Sequence, residues 1–174
     1  MELEMIKPDS LRQVLLAGNT QLQAQPGILQ MSLQDGYIKA TLGRGNGWRY
    51  HYKLVLQLTA FTGDPNALVA PMIAWLRANQ PDLFLNQDDL VLIDFSLIPE
   101  SDGSNDIVIK IPLTESVAVS ETDGVVTTTH RAEPQIPGIN EEEPAANQLL
   151  LNGTPVTWPP ASADDLANAL WPDA

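Results

Sequence analysis

The chain has 174 residues, 44% of them hydrophobic, a net charge of −13 and no cysteine. That is enough apolar material for one real core, with no apolar run approaching membrane-spanning length and no means of forming disulfides, thiolate metal sites or cysteine nucleophiles. The charge is two-ended: residues 1–81 carry seven Lys/Arg against five Asp/Glu, and residues 82–174 carry two against seventeen. A chain this acidic is poorly equipped to grip phosphate backbones. The asymmetry suits either a well-solvated surface or a head-to-tail assembly in which one subunit's basic end meets its neighbour's acidic end.

The first residues, MELEMIKPDSL, carry glutamates where a secretory signal carries basic groups, so no export signal is expected. Asp9 or Ser10 is placed to cap a helix whose apolar stripe is Leu11, Leu15, Leu16 and Leu22, ending before Pro26-Gly27, with Gly18-Asn19 offering an earlier stop. Residues Ile28–Leu33 and Tyr37–Leu42 read as short strands around Asp35-Gly36, a pair with strong hairpin-turn preference. The run Gly43-Arg44-Gly45-Asn46-Gly47 has three glycines, but neither a helix nor a lysine-serine pair follows, so it reads as a hairpin loop rather than a phosphate cradle.

The core is organised around residues 48–82. Trp48, Tyr50, Tyr52, Leu54, Leu56 and Leu58 alternate with Arg49, His51, Lys53, Gln57 and Thr59, the pattern of a long strand with one buried face and neighbours on both sides. Gly63 allows a sharp turn, Asp64 is placed as N-cap, and Pro65 suits the first helical position. Leu68, Met72, Trp75, Leu76 and Asn79, widened by Val69 and Ile73, give a helical stripe able to lie across the sheet; Pro71 interrupts its hydrogen bonding and Pro81 ends it.

Further on, Leu90–Ile98 is apolar at nearly every position except Asp94, which predicts a strand buried on both faces. Ile107, Ile109, Ile111 and Leu113 alternate with Asp106, Lys110 and Pro112, a half-buried strand with the proline at an edge or bulge. Val117, Val119, Val125, Thr127 and Thr129 flank Asp123-Gly124, a second hairpin signal. After Arg131 the composition changes. Residues 133–147 contain three prolines and four glutamates and read as a linker. Residues Leu149–Trp158 form a miniature hairpin around Asn152-Gly153 that is too small to stand alone, and Ala161–Leu170 follows as a short helix with Ser162 as cap. Leu149, Leu150, Leu151, Trp158 and Trp171 are thus candidate contact residues of an interaction arm.

The elements together predict an α+β fold: a mixed or antiparallel sheet of about five to six strands packed with two helices, plus a C-terminal extension bearing a small hairpin. The expected divisions are a core domain at 1–132, a linker at 133–147 and an arm at 148–174. Nothing in the chain forms a recognisable catalytic constellation. His51 and His130 lack a second ligand at metal-binding spacing and read as surface strand residues, and Arg49 and Lys53 should lower the pKa of His51. Asp88-Asp89 and Glu141-Glu142-Glu143 read as solvated acids. Neither a cofactor nor a metal is expected. Binding or assembly is favoured over catalysis, with a small adaptor or an enzyme with a dispersed carboxylate site as the other classes.

Several segments, in this order and spacing, resemble a known family: Lys7-Pro8-Asp9-Ser10-Leu11-Arg12, Phe61-Thr62-Gly63-Asp64, Trp75-Leu76-Arg77 with Asn79-Gln80-Pro81-Asp82, Leu113-Thr114-Glu115, Ser120-Glu121 with Asp123-Gly124, and Asn152-Gly153. The chain is similar to the tail completion protein R family of P2-like contractile-tailed phages, across most of its length but not after Ala161. The resemblance implies a non-enzymatic virion protein. Its expected role is to cap tail tube and sheath as a ring, most often a hexamer, and to present the surface that the head connector binds. The expected partners are copies of itself, the tube and sheath proteins and the connector, with DNA passing through the lumen unbound and no membrane involved. The expected location is the head-proximal end of the tail, and the host cytoplasm during assembly.

Overall fold

A computed structural model describes residues 5–40, 47–85 and 93–136, together with the backbone of 148–151 and 154–157. The chain divides into two compact units, Met1–Asn140 and Glu141–Ala174. The first unit opens with helix α1 (Ile6–Gly18), short helix α2 (Thr20–Ala24) and a 3-10 turn, Pro26–Ile28. Strands β1 (Leu29–Ala40) and β2 (Trp48–Phe61) follow, then helix α3 (Asn66–Asn79) and a second 3-10 turn, Pro81–Phe84. It finishes with β3 (Asp94–Pro99), β4 (Asn105–Thr122) and β5 (Val125–His130). All strand pairs are antiparallel, in the order β1-β2-β4-β3, with β5 also on β4. This is the α+β fold that the sequence predicts, with a five-stranded sheet.

The alternation in β2 works as expected. Tyr52, Leu54, Leu56 and Leu58 are buried and face the same layer as Leu29 and Met31 of β1 and Ile107, Ile109, Ile111 and Leu113 of β4, with which they are in register. Leu11 and Leu15 of α1, Leu22 of α2, and Leu68, Met72, Trp75 and Leu76 of α3 complete the core from the helix side. Near the end of β2 the register shifts between Leu58 and Phe61, with Ala60 at a φ of 54°. This bulge returns Phe61 to the core face although its number is odd, and it is fully buried. Asp106 accepts from the Ala60 amide and Gln21 donates to its carbonyl, so both backbone groups released by the bulge are satisfied.

Four local expectations are corrected. Asp35-Gly36 is not a hairpin turn: β1 runs through it as a bulge, with Asp35 at a φ of 51° and the register shifting between Gln34 and Tyr37. The fourteen-residue β2 is long enough to pair with both halves of β1, so the left-handed preference of the Asp-Gly pair is spent on an extra residue instead of a reversal. Helix α1 is capped by neither Asp9 nor Ser10, which lie inside it; Met5 holds the cap position without a side-chain bond. Pro65 takes the cap position of α3 rather than its first turn, although Asp64 Oδ1 does accept from the Asn66 amide at 2.9 Å. Finally, β3 is not buried on both faces. It is an edge strand paired only with β4, and Phe95 is 50% exposed; positions 90–92 lie outside the described residues.

The hairpin between β4 and β5 forms as read, with Asp123 and Gly124 at φ values of 53° and 76°, the left-handed pair of a type I′ turn. Gly47 is needed for a different reason, since a Cβ there would sit 2.7 Å from the Val117 carbonyl oxygen. In the second unit, β6 (Gln148–Leu151) pairs antiparallel with β7 (Thr154–Thr157), with Leu149 opposite Val156. Among the described residues no helix is long and apolar enough to cross a membrane.

Candidate functional site

On the edge of β4 away from β2, β3 covers residues 105–110 and β5 covers 117–122, leaving 111–116 without a strand neighbour. Alternate residues of a strand present their amide and carbonyl to the same edge. Pro112, Thr114 and Ser116 therefore face this gap, and Pro112 brings no donor to it. Beyond the end of β5 the Arg131 amide donates to the Ser116 carbonyl at 2.8 Å, and side chains serve Thr114: Gln80 Oε1 accepts from the Thr114 amide at 2.9 Å, and Lys7 Nζ donates to the Thr114 carbonyl at 2.6 Å. The buried Lys7 uses its other two protons on Gln80 Oε1 at 2.7 Å and Glu133 Oε1 at 2.6 Å. Gln80 Nε2 donates in turn to Thr114 Oγ1 and Asp82 Oδ1. One residue along, the parity reverses and Glu115 points into the helix layer.

Glu115 is 3% exposed. Its carboxylate accepts from the amides of Ile6 and Lys7, at 3.1 and 3.3 Å, and from the Tyr52 hydroxyl at 2.5 Å, and its Oε2 lies 3.0 Å from His130 Nδ1. The missing cap of α1 is thus supplied by a carboxylate 109 residues away, at the helix end where a negative charge is favoured. Trp75 Nε1 adds a bond to Ser10 Oγ at 3.0 Å that ties α3 to α1. Segments Lys7–Arg12, Trp75–Arg77, Asn79–Asp82 and Leu113–Glu115, which lie far apart in the chain, meet here. Their chemistry is that of a fastening: the carboxylate and the ammonium are both saturated by protein donors and acceptors.

Burial, and then the bond to Glu115, push the Tyr52 hydroxyl pKa far above its ordinary value of about 10. A raised pKa contributes stability that is present below about pH 10 and lost as pH rises further, because the unfolded chain releases this proton first. Tyr52→Phe is therefore expected to cost about 1–2 kcal/mol at pH 7 and to flatten the loss of stability above pH 10. Thermal melts of both chains between pH 8 and pH 11.5 check this; parallel curves would show that the phenol does not couple to folding.

His51 is half-buried rather than a free surface residue, stacked on Tyr37 with ring centroids 4.7 Å apart. Its pKa is lowered by burial first and then by Lys39 and Arg49, so the expected direction holds while Lys39 stands in place of Lys53. His130 ends β5 against Glu115, where the sequence offered only a surface residue. Leu149, Leu150 and Leu151 lie on β6; Trp158, Trp171, Asp88-Asp89 and Glu141–Glu143 lie outside the described residues. Lys7, Gln80 and Glu115 were missed as a group. A signal for Glu115 existed: it occupies an inward position in the alternation that runs from Ile107 through Leu113 to Val117.

A second feature is the placement of exposed apolar groups. Leu33, Tyr37 and Ile38 lie on β1, Phe95 and Ile98 on β3, and Val125 and Val126 on β5, whereas the central strands β2 and β4 carry no large exposed apolar group. All three bearing strands are edges of the sheet. The chain is thus a small α+β body fastened by a buried ionic knot, with exposed apolar groups on the edge strands of its sheet.

Residues 5–134 match the family described as P2 phage tail completion protein R (GpR), and the chain belongs to that family. It is 37% identical over 153 residues to tail completion protein R of Escherichia phage P2, an alignment covering 86% of this chain and 95% of the relative. No solved structure matches it. The chain is accordingly a structural protein of a phage tail and not an enzyme, and its place is in the virion.

Proposed function

We propose that this protein completes the tail as the subunit of a closed ring, six-fold in the simplest case, that caps tube and sheath and presents the surface to which the head connector binds. The ring assembles in the host cytoplasm, sits at the head-proximal end of the tail, and lets DNA pass through its lumen without specific binding. The observation that carries the ring is the distribution of exposed apolar side chains. Groups on β1 at one side of the sheet and on β3 and β5 at the other are what a heterologous contact needs, in which one surface of each subunit meets a different surface of the next and the rotation closes. The two-ended charge of the chain adds complementarity to the same contact.

The segment 148–174 is the arm, carried on the linker 133–147. Leu149, Leu150, Leu151, Trp158 and Trp171 are its proposed contact residues, reaching a neighbouring subunit or the adjacent tail layer across the proline-rich stretch. Sedimentation equilibrium of the full chain, alone and with tail components, is expected to give a closed oligomer of several subunits. A strict monomer under both conditions overturns the ring. A chain ending at Asn140 keeps Glu133, the partner of Lys7, and is expected to melt like the full chain while completing fewer tails. Equal completion by the shortened chain would remove the arm's role, and failure to fold would assign it to the core.

A further inference from the structure

We infer that the sheet face opposite the helices, around Lys39 and Arg49, is the docking surface for the Glu141–Glu143 stretch of a second copy of this chain; this rests on the ring reading above. The register places Lys39 of β1 directly opposite Arg49 of β2, both exposed and both on the face away from the core. Like charges directly opposite each other across two strands oppose sheet formation. Neither forms an ion pair with an acid among the described residues: Lys39 lies over the Tyr37 ring at 5.7 Å, and Arg49 Nε donates to Ser116 Oγ at 2.9 Å. The next basic group on this face, Lys53, is paired with Asp35 at 3.1 Å.

A second observation lies between the two cations and Lys53. His51, stacked on Tyr37, has a buried Nε2 without a hydrogen-bond partner among the described residues. Burial first, and then Lys39 and Arg49, lower its pKa, while Asp82 acts in the opposite direction. In a chain of net charge −13, two exposed cations directly opposite each other and without an acid partner among the described residues have the chemistry of a site for carboxylates.

The occupant is argued from charge and chain order. Seventeen of the twenty-two acids lie in residues 82–174, and three are consecutive at Glu141-Glu142-Glu143 between Pro137 and Pro144. The run ends directly before Pro144, and proline disfavours helix for the residue before it, here Glu143. This run lies in the linker, just ahead of the arm. An arm that leaves its own subunit therefore carries three carboxylates to the neighbour before its apolar residues arrive.

The test is a charge swap in the full chain. One variant combines Lys39→Glu with Arg49→Glu; the other combines Glu141→Lys, Glu142→Lys and Glu143→Lys. Each alone is expected to raise the concentration needed for assembly about tenfold or more at low salt, and their equimolar mixture is expected to restore it. Normal assembly of either variant, or a mixture no better than its components, overturns the inference while leaving the ring intact. A wild-type chain that never associates overturns the ring reading itself. If the basic-face variant assembles normally but loses retention on duplex DNA, the face serves phosphates and the inference also falls. Should Lys39→Glu with Arg49→Glu melt below the wild type, Lys39→Gln with Arg49→Gln applies the same test without adding charge.

Discussion

Replacing Glu115 by alanine is expected to lower the unfolding free energy by about 3–5 kcal/mol, a large share of the roughly 5–15 kcal/mol available to a domain of this size. The carboxylate is buried and serves the Ile6 and Lys7 amides, the Tyr52 hydroxyl and His130 together, so its removal leaves several donors without a partner. The N-terminal end of α1 also loses the side-chain cap that it has among the described residues. Glu115→Gln should be nearly as harmful, because an amide –NH2 then faces groups that themselves donate. Urea unfolding of the three chains measures the effect. A loss below about 1 kcal/mol would mean that α1 is held by Leu11 and Leu15 alone and that the polar fastening contributes little.

The second large effect concerns the sheet. Leu56→Asp is expected to abolish folding, since Leu56 is 1% exposed and packed between Met31 and Ile109 in register, where a carboxylate would find no partner and cost several kcal/mol. Gln57→Asp, one residue away on the exposed face, is expected to change stability by no more than about 0.5 kcal/mol. Circular dichroism and thermal melting separate the two; equal stability would contradict the assignment of faces. The rule of alternation is not absolute in β2, because Val55 on the opposite face is also buried. Val55→Asp should therefore behave more like the first variant than the second.

What the sequence by itself determined were the features set by periods and turn chemistry a few residues long. The alternation through Leu54, Leu56 and Leu58, the stripe Leu68, Met72, Trp75 and Leu76, the end of α3 before Pro81, and the left-handed pair Asp123-Gly124 all stand as read. Each depends on a local backbone preference or a local spacing that no distant contact reverses. Only the tertiary structure decided whether Asp35-Gly36 reversed the chain or bulged, because that turned on the length of β2 as a partner. It likewise decided that β3 lies exposed at an edge, since an apolar run of that length does not say whether a second layer covers it. The fastening was the least legible part. Lys7, Gln80 and Glu115 look like ordinary polar residues within their own segments, and they become a unit only because α1, the end of α3 and the uncovered stretch of β4 converge over 73 to 109 residues of chain. Hydrogen bonds to buried groups are assigned by proximity in the folded state, and proximity across that distance is a property of the topology, not of any window of sequence.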